Sequence, residues 1–286
     1  MNLSLDKITG NTPLVKITDK IYGKLETYNP SGSVKDRMIT YVVKEAVRSG
    51  EINEQTVLCD ATSGNTGIAL SMVAASLGLN CVIFMPANMS EERRQMMSVY
   101  GAKIINAPDD DFERAIQMRD EFISCGKNVW SPMQFSNPGN ILCHETVTGP
   151  EIQRQIFQLG LSWSSFVHGS GTGGTIEGVR RFLENSPTKT YMVVPAESPH
   201  GIQGIGDGKD YLADPEMMDG VIVIETEAAI DRAKKFAKET GLLVGISAGA
   251  NILASEMHVA ENNPEGVVVT MLCDRGERYM SIYGEI

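Results

Sequence analysis

The 286-residue chain has little of several things, and each absence narrows its function. No long run of Lys or Arg occurs, and 25 basic against 36 acidic residues leave a net charge of −11. Phosphate neutralisation along nucleic acid or an anionic bilayer needs clustered cations, so both partners are disfavoured. No apolar stretch reaches the ~20 residues that span a bilayer. The opening MNLSLDKITGNTPL has polar residues where a secretory signal needs an apolar run, which argues for a cytoplasmic protein. The five cysteines, Cys59, Cys81, Cys125, Cys143 and Cys273, form no C-x-x-C pair. Free thiols in a reducing compartment are therefore expected, without structural zinc or any other metal site. His144, His168, His200 and His258 are scattered and read as structural or surface histidines. Repeats and low-complexity segments are lacking too.

What is present is a core-forming composition, 42% hydrophobic and 21% charged. At roughly 150 residues per domain it has room for about two domains. From about residue 56, short apolar runs alternate with helical periods, the pattern of a parallel α/β sheet. Strands are expected at Thr56 to Ala61, Cys81 to Met85, Lys103 to Asn106, Phe166 to His168, Tyr191 to Val194, Val221 to Ile224 and Val267 to Leu272. The spacing predicts a helix over Val34 to Val47, with Ser33 as N-cap and Gly50 as terminator, and a second from Ser90 to Gly101. Val15 to Ile17 and Tyr22 to Glu26 read as a hairpin. The turn-rich MQFSNPGN, residues 133 to 140, is the candidate domain junction. The expected division is a smaller α/β domain at 36–137 and a larger one from 1–35 with 138–286.

Three loops carry chemistry. Asn29-Pro30-Ser31-Gly32-Ser33-Val34-Lys35 delivers a lysine into the first turn of a helix. The positive end of the helix dipole disfavours an ammonium there, which makes a free amine easier to reach. Thr62-Ser63-Gly64-Asn65-Thr66-Gly67 follows a strand and opens a helix, so N–H groups and hydroxyls converge into an anion site. Gly169-Ser170-Gly171-Thr172-Gly173-Gly174-Thr175 is a second such cradle, suited to a phosphate dianion. That loop also satisfies G-x-G-x-x-G through Gly169, Gly171 and Gly174, and Glu197 stands where a ribose-binding acid would, so an NAD-dependent oxidoreductase competes. Ser247 opens a helix and Gln134 lies in the junction. Asp274 and Arg275 read as a surface ion pair.

Taken together, NPSGSVKDR, TSGNTG, GSGTGGT, GISAGA and CDRGERYMS resemble the O-acetylserine sulfhydrylases (cysteine synthases), fold-type II pyridoxal-phosphate enzymes, from GNTPLVKI through Ser281. The resemblance implies two open twisted α/β sheets flanked by helices, like the tryptophan synthase β chain, with pyridoxal 5'-phosphate in the cleft between domains. It implies that Lys35 carries the cofactor as a Schiff base and is the catalytic acid-base group. Asn65, Gly171, Thr172, Gly173, Gly174, Thr175 and Ser247 would contact the cofactor, and Thr62, Ser63, Gly64, Asn65, Thr66 and Gln134 the substrate carboxylate. The implied reaction is β-elimination of acetate from O-acetyl-L-serine to an aminoacrylate, then addition of sulfide to give L-cysteine. A homodimer and binding of serine acetyltransferase are implied as well. MPANMSEERRQMM and LCDRGERYMS resemble the B type, which also uses thiosulfate to make S-sulfocysteine. SPHGIQGIGDG instead resembles the A type, with Gly204, Gly206 and Gly208 where the B type carries arginines. Sulfide ranks first, thiosulfate second, and cystathionine β-synthase-like chemistry is a further alternative. Lys35→Ala is expected to abolish turnover, and Asp36→Ala to retain it.

Overall fold

The computed structural model describes residues 4–62, 64–87, 90–108, 111–206 and 212–284. The chain divides into two compact units, Met1–Thr9 with Asn29–Gln134 and Gly10–Tyr28 with Phe135–Ile286. Compared with the expected division, residues 1–9 and 29–35 join the smaller unit and 135–137 join the larger. Residues 29–35 do so because they lead directly into the first helix of the smaller unit.

That unit holds α1 (Lys35–Ser49), β3 (Val57–Ala61), α2 (Asn65–Leu77), β4 (Cys81–Pro86), α3 (Glu91–Val99), β5 (Lys103–Ala107), α4 (Phe112–Cys125) and the short β6 (Val129–Trp130). Its sheet runs β5-β4-β3-β6, parallel throughout. Period-2 alternation explains how helices cover both faces. Leu58, Cys81, Ile83 and Met85 pack with Met38, Ile39 and Val43 of α1 and Ile68 and Leu70 of α2. Cys59, Ala61, Val82 and Phe84 point the other way, onto Ala115 of α4. Gly50 ends α1 with φ +85°, as its sequence position suggests. Ser33 does not cap this helix. Val34 is the N-cap residue, and no side chain caps it.

The larger unit begins with the antiparallel pair β1 (Leu14–Lys16) and β2 (Ile21–Leu25), the expected hairpin. The remaining strands and helices follow α5 (Pro138–Cys143), a π-helical turn at His144–Thr148 and α6 (Gly149–Gln158). They are β7 (Trp163–Gly169), α7 (Gly174–Phe182), β8 (Lys189–Pro195), β9 (Gly220–Ile224), α8 (Thr226–Thr240), α9 (Ile246–Asn262) and β10 (Val267–Leu272). The sheet order is β1-β2-β10-β7-β8-β9, parallel apart from the β1–β2 pair. Central β10 is buried along its whole length, as its unbroken VVVTML run requires. The five cysteines form no disulfide, and four are buried. Among the described residues, no helix is long and apolar enough to cross a membrane.

Candidate active site

In the smaller unit, the loop before α1 is built around a buried carboxylate. Asp36 accepts from the Ser31 backbone N–H at 2.6 Å and from the Ser31 hydroxyl. Asn29, Ser31, Ser33 and Asp36 are all buried, while Lys35 between them is partly exposed. Asp36 is therefore a structural anchor beside Lys35.

The second loop leaves the carboxyl end of β3, where open α/β sheets bind ligands. Thr62 N–H donates to Phe84 O at 3.1 Å, and the Thr62 hydroxyl accepts from Gly64 N–H at 3.1 Å. Asn65 starts α2, and the buried Thr66 hydroxyl donates to Gln134 Oε1 at 2.6 Å. The structure thus brings Thr62, Gly64, Asn65, Thr66 and Gln134 together; Ser63 lies outside the described residues.

Two groups behind this loop escape sequence reasoning. Asp60, fully buried in β3, accepts from Gln134 Nε2 at 3.5 Å and lies 3.6 Å from Arg119 Nη1. Burial pushes its carboxyl up to about 7 against the opposing pull of Arg119. Arg93 of α3 is also buried, and a Cβ added at Gly64 would lie 2.7 Å from its Cδ. Asp60 sits in an apolar run and Arg93 in a charged helix stretch, so neither pattern announces a site.

In the larger unit, β7 ends at Gly169 and α7 starts at Gly174, with the phosphate-type loop between them. Gly173 has φ +84°, a conformation that disfavours side chains. A Cβ at Gly171 would meet Gly204 O at 2.3 Å, so the backbone approach there tolerates only glycine. Thr172 Oγ1 accepts from Asn140 Nδ2 at 3.0 Å and from Gly174 N–H at 3.3 Å. Thr175 Oγ1 lies 3.2 Å from His144 Nε2. The hydroxyl of Ser170 is buried without a hydrogen-bond partner. A loop whose close backbone approach demands glycine at 171, at a helix N-terminus and with the buried, unpartnered Ser170 hydroxyl beside it, fits a phosphate group.

Ser247 is buried in the first turn of α9. Glu197, the candidate ribose acid, instead accepts from the Thr226 backbone N–H at 2.9 Å and caps α8. That bond lowers its carboxyl below the usual range, as expected of an acid at a helix start. Asp274 is no surface ion-pair member: it is fully buried and accepts from Tyr279 Oη–H at 2.6 Å, while Arg275 is exposed and donates to Thr27 O at 2.9 Å.

Residues 5–274 match the family described as "Pyridoxal-phosphate dependent enzyme". The chain belongs to this family. Pyridoxal phosphate is its cofactor, and the phosphate-type loop agrees with that. Among its relatives is cysteine synthase B of Campylobacter jejuni, 39% identical over 97% of this chain and 96% of that protein. A hydrogen sulfide-producing enzyme of Fusobacterium nucleatum superposes with a TM-score of 0.88 at 34% identity, covering 98% of this chain and all of that one. The O-acetylserine dependent cystathionine β-synthase of Helicobacter pylori gives 0.87 at 33% identity, covering 98% of each chain. Two helix-flanked α/β sheets and these neighbours bear out the fold class expected from the sequence.

Proposed function

We propose that this pyridoxal-phosphate enzyme makes L-cysteine from O-acetyl-L-serine and sulfide by β-replacement. The observation that carries the reading is the near full-length likeness to cysteine synthases, in a chain that retains Lys35 and both anion loops. The bound cofactor supplies the electron sink that makes the substrate Cα–H acidic. Lys35 Nζ would hold the cofactor, and its free amine would take the substrate Cα proton as acetate leaves from Cβ. Thr62, Ser63, Gly64, Asn65, Thr66 and Gln134 bind the substrate carboxylate, and Asn65 also meets the cofactor. The N–H groups and hydroxyls of Gly171, Thr172, Gly173, Gly174 and Thr175 hold the phosphate. Ser247 presents a neutral hydroxyl to the pyridine nitrogen. Unlike an aspartate, a serine there would not keep that nitrogen protonated, and the weaker sink would favour elimination over transamination.

Sulfide is favoured over thiosulfate by the backbone. Gly204 and Gly206 have φ of +90° and +71°, so an arginine that would pair with a bulkier anion is strained at either position. Gly208, the third glycine of that stretch, lies outside the described residues. A homodimer is supported by exposed apolar side chains on one stretch of the chain, Leu142, Val147, Phe157 and Leu159. Binding of serine acetyltransferase and a cytoplasmic location complete the reading.

The test is direct. Purified protein should be yellow, lose that colour on borohydride reduction and gain cofactor mass on the Lys35 peptide. It should form cysteine from O-acetylserine and sulfide faster than S-sulfocysteine from thiosulfate. Colourless protein, or label on another lysine, would overturn the site; faster use of thiosulfate would reverse the donor order. Light scattering at the monomer mass would remove the dimer.

A further inference from the structure

The His144 ring is 1% exposed, and each of its nitrogens faces a threonine hydroxyl: Nδ1 to Thr148 Oγ1 at 2.9 Å, Nε2 to Thr175 Oγ1 at 3.2 Å. A neutral imidazole has one N–H and one lone pair, so these two contacts cannot have the same polarity. With the proton on Nδ1, the ring donates to Thr148 and Nε2 accepts the Thr175 hydrogen. Thr175 then turns only lone pairs toward the loop. With the proton on Nε2, the ring donates to Thr175 Oγ1 and the Thr175 hydrogen is released to another acceptor. Thr148 in turn donates to Nδ1. The two states differ by one proton's place on the ring and two hydroxyl rotations, with no change in charge.

The neighbouring hydroxyl offers a parallel. Thr172 Oγ1 already receives two donors, Asn140 Nδ2 and the Gly174 backbone N–H, so its own hydrogen has to point elsewhere. Asn140 and His144 are four residues apart along the α5 and π-turn segment, the spacing that brings side chains to one face of a helix. Thr172 and Thr175 are three apart at the start of α7. Two side chains from one segment thus back two hydroxyls of the other. The π-helical turn at His144–Thr148 is the irregularity that accompanies this fit, and such turns recur at functional sites.

We propose that His144 is a positioning residue: held as its Nε2–H tautomer, it donates to Thr175 Oγ1 and aims the Thr175 hydrogen at the cofactor phosphate. This rests on the reading of residues 171–175 as the phosphate cradle. Asn140 does the same for Thr172. A dianion needs donors, and a hydroxyl whose lone pairs face it repels it, so the tautomer decides whether Thr175 helps or hinders binding.

The test reads the ring directly. Holoenzyme carrying 15N-labelled histidine should show His144, assigned by the signal lost in His144→Gln, protonated on Nε2 and not on Nδ1 in long-range 1H–15N spectra. A Nδ1–H or doubly protonated ring in the holoenzyme would overturn the proposal. Cofactor dissociation constants from equilibrium dialysis form the second arm. His144→Leu should weaken binding about tenfold, while His144→Gln, whose carboxamide can still donate, should recover most of the loss. If His144→Leu does not fold, the spectra still decide. Thr175→Ala separates the two readings. If it leaves cofactor affinity unchanged, the phosphate cradle itself is wrong; if it weakens affinity while His144 carries its proton on Nδ1, only the role of His144 fails.

Discussion

The smallest changes with the largest expected effects lie beside Lys35 and behind the carboxylate loop. Asp36→Ala removes the acceptor that fixes Ser31 through both its N–H and its hydroxyl. The lysine that follows this loop then loses its fixed start. Turnover should fall about 10- to 100-fold, because misplacing a catalytic group by an ångström costs that order of rate. The variant should stay yellow, and steady-state kinetics beside an absorbance spectrum check both points. Lys35→Ala should lose colour and turnover together. Asp60 makes a different prediction. Burial raises its carboxyl to about 7 from an unfolded value of 3.8, so folding takes up a proton between those values. Its contribution to stability is full below about pH 4 and is lost as pH rises through 7. Asp60→Asn should therefore flatten the decline in stability between pH 5 and 8, by roughly 1–3 kcal/mol at the upper end. Urea denaturation at the two pH values measures it, and an unchanged slope would count against a protonated Asp60.

At the scale of elements, the larger unit depends on a buried ionic cluster that joins its N-terminal hairpin to α6. Lys24 of β2 and Glu26 are fully buried, and Glu151 of α6 nearly so. Lys24 Nζ pairs with Glu151 and donates to Thr12 Oγ1 at 2.8 Å, while the Thr12 hydroxyl donates to Glu26 Oε1 at 2.7 Å. Asn11 N–H donates to Glu151 Oε2 at 2.8 Å. Removing the Lys24 cation takes its ion pair away from the buried Glu151 carboxylate. Lys24→Met should cost about 3–5 kcal/mol, the usual penalty for breaking one side of a buried pair. Replacing lysine and acids together by apolar residues should cost less. Chemical denaturation of the single and combined variants distinguishes the ionic term from packing.

At the scale of the whole molecule, neither unit is continuous in sequence. Residues 10–28 belong with 135–286, and β2 forms one side of central β10 by parallel pairing from Val268↔Ile21 to Leu272↔Leu25. A fragment of residues 135–286 lacks that neighbour and exposes VVVTML as an unpaired apolar edge. It should aggregate on its own and become more soluble when residues 1–28 are fused to it through a flexible linker. Sedimentation of the two fragments after expression is the readout. Equal solubility would show that β10 does not need β2.

Much of this enzyme was legible in its residues, because strand-loop-helix units write their chemistry locally. A strand that ends in glycines and hydroxyls before a helix offers converging N–H groups wherever it lies, so the loops at 62–67 and 169–175 stand out along the chain as candidate anion sites. The roles proposed for Lys35 and Ser247 rest on resemblance, through motifs long and ordered enough to name a family. What needed the tertiary structure was every role that depends on burial or on a partner distant in sequence. Asp60 is an acid in a strand until Gln134 and Arg119 stand against it. His144 reads as a scattered histidine until a π-helical turn sets it under Thr175, and Glu197 reads as a ribose ligand until α8 needs a cap. Asp274 reads as a surface charge until the chain closes around it. Pattern along the chain records which groups a segment offers, whereas burial and partner geometry decide their protonation and direction, and those arise only when segments meet.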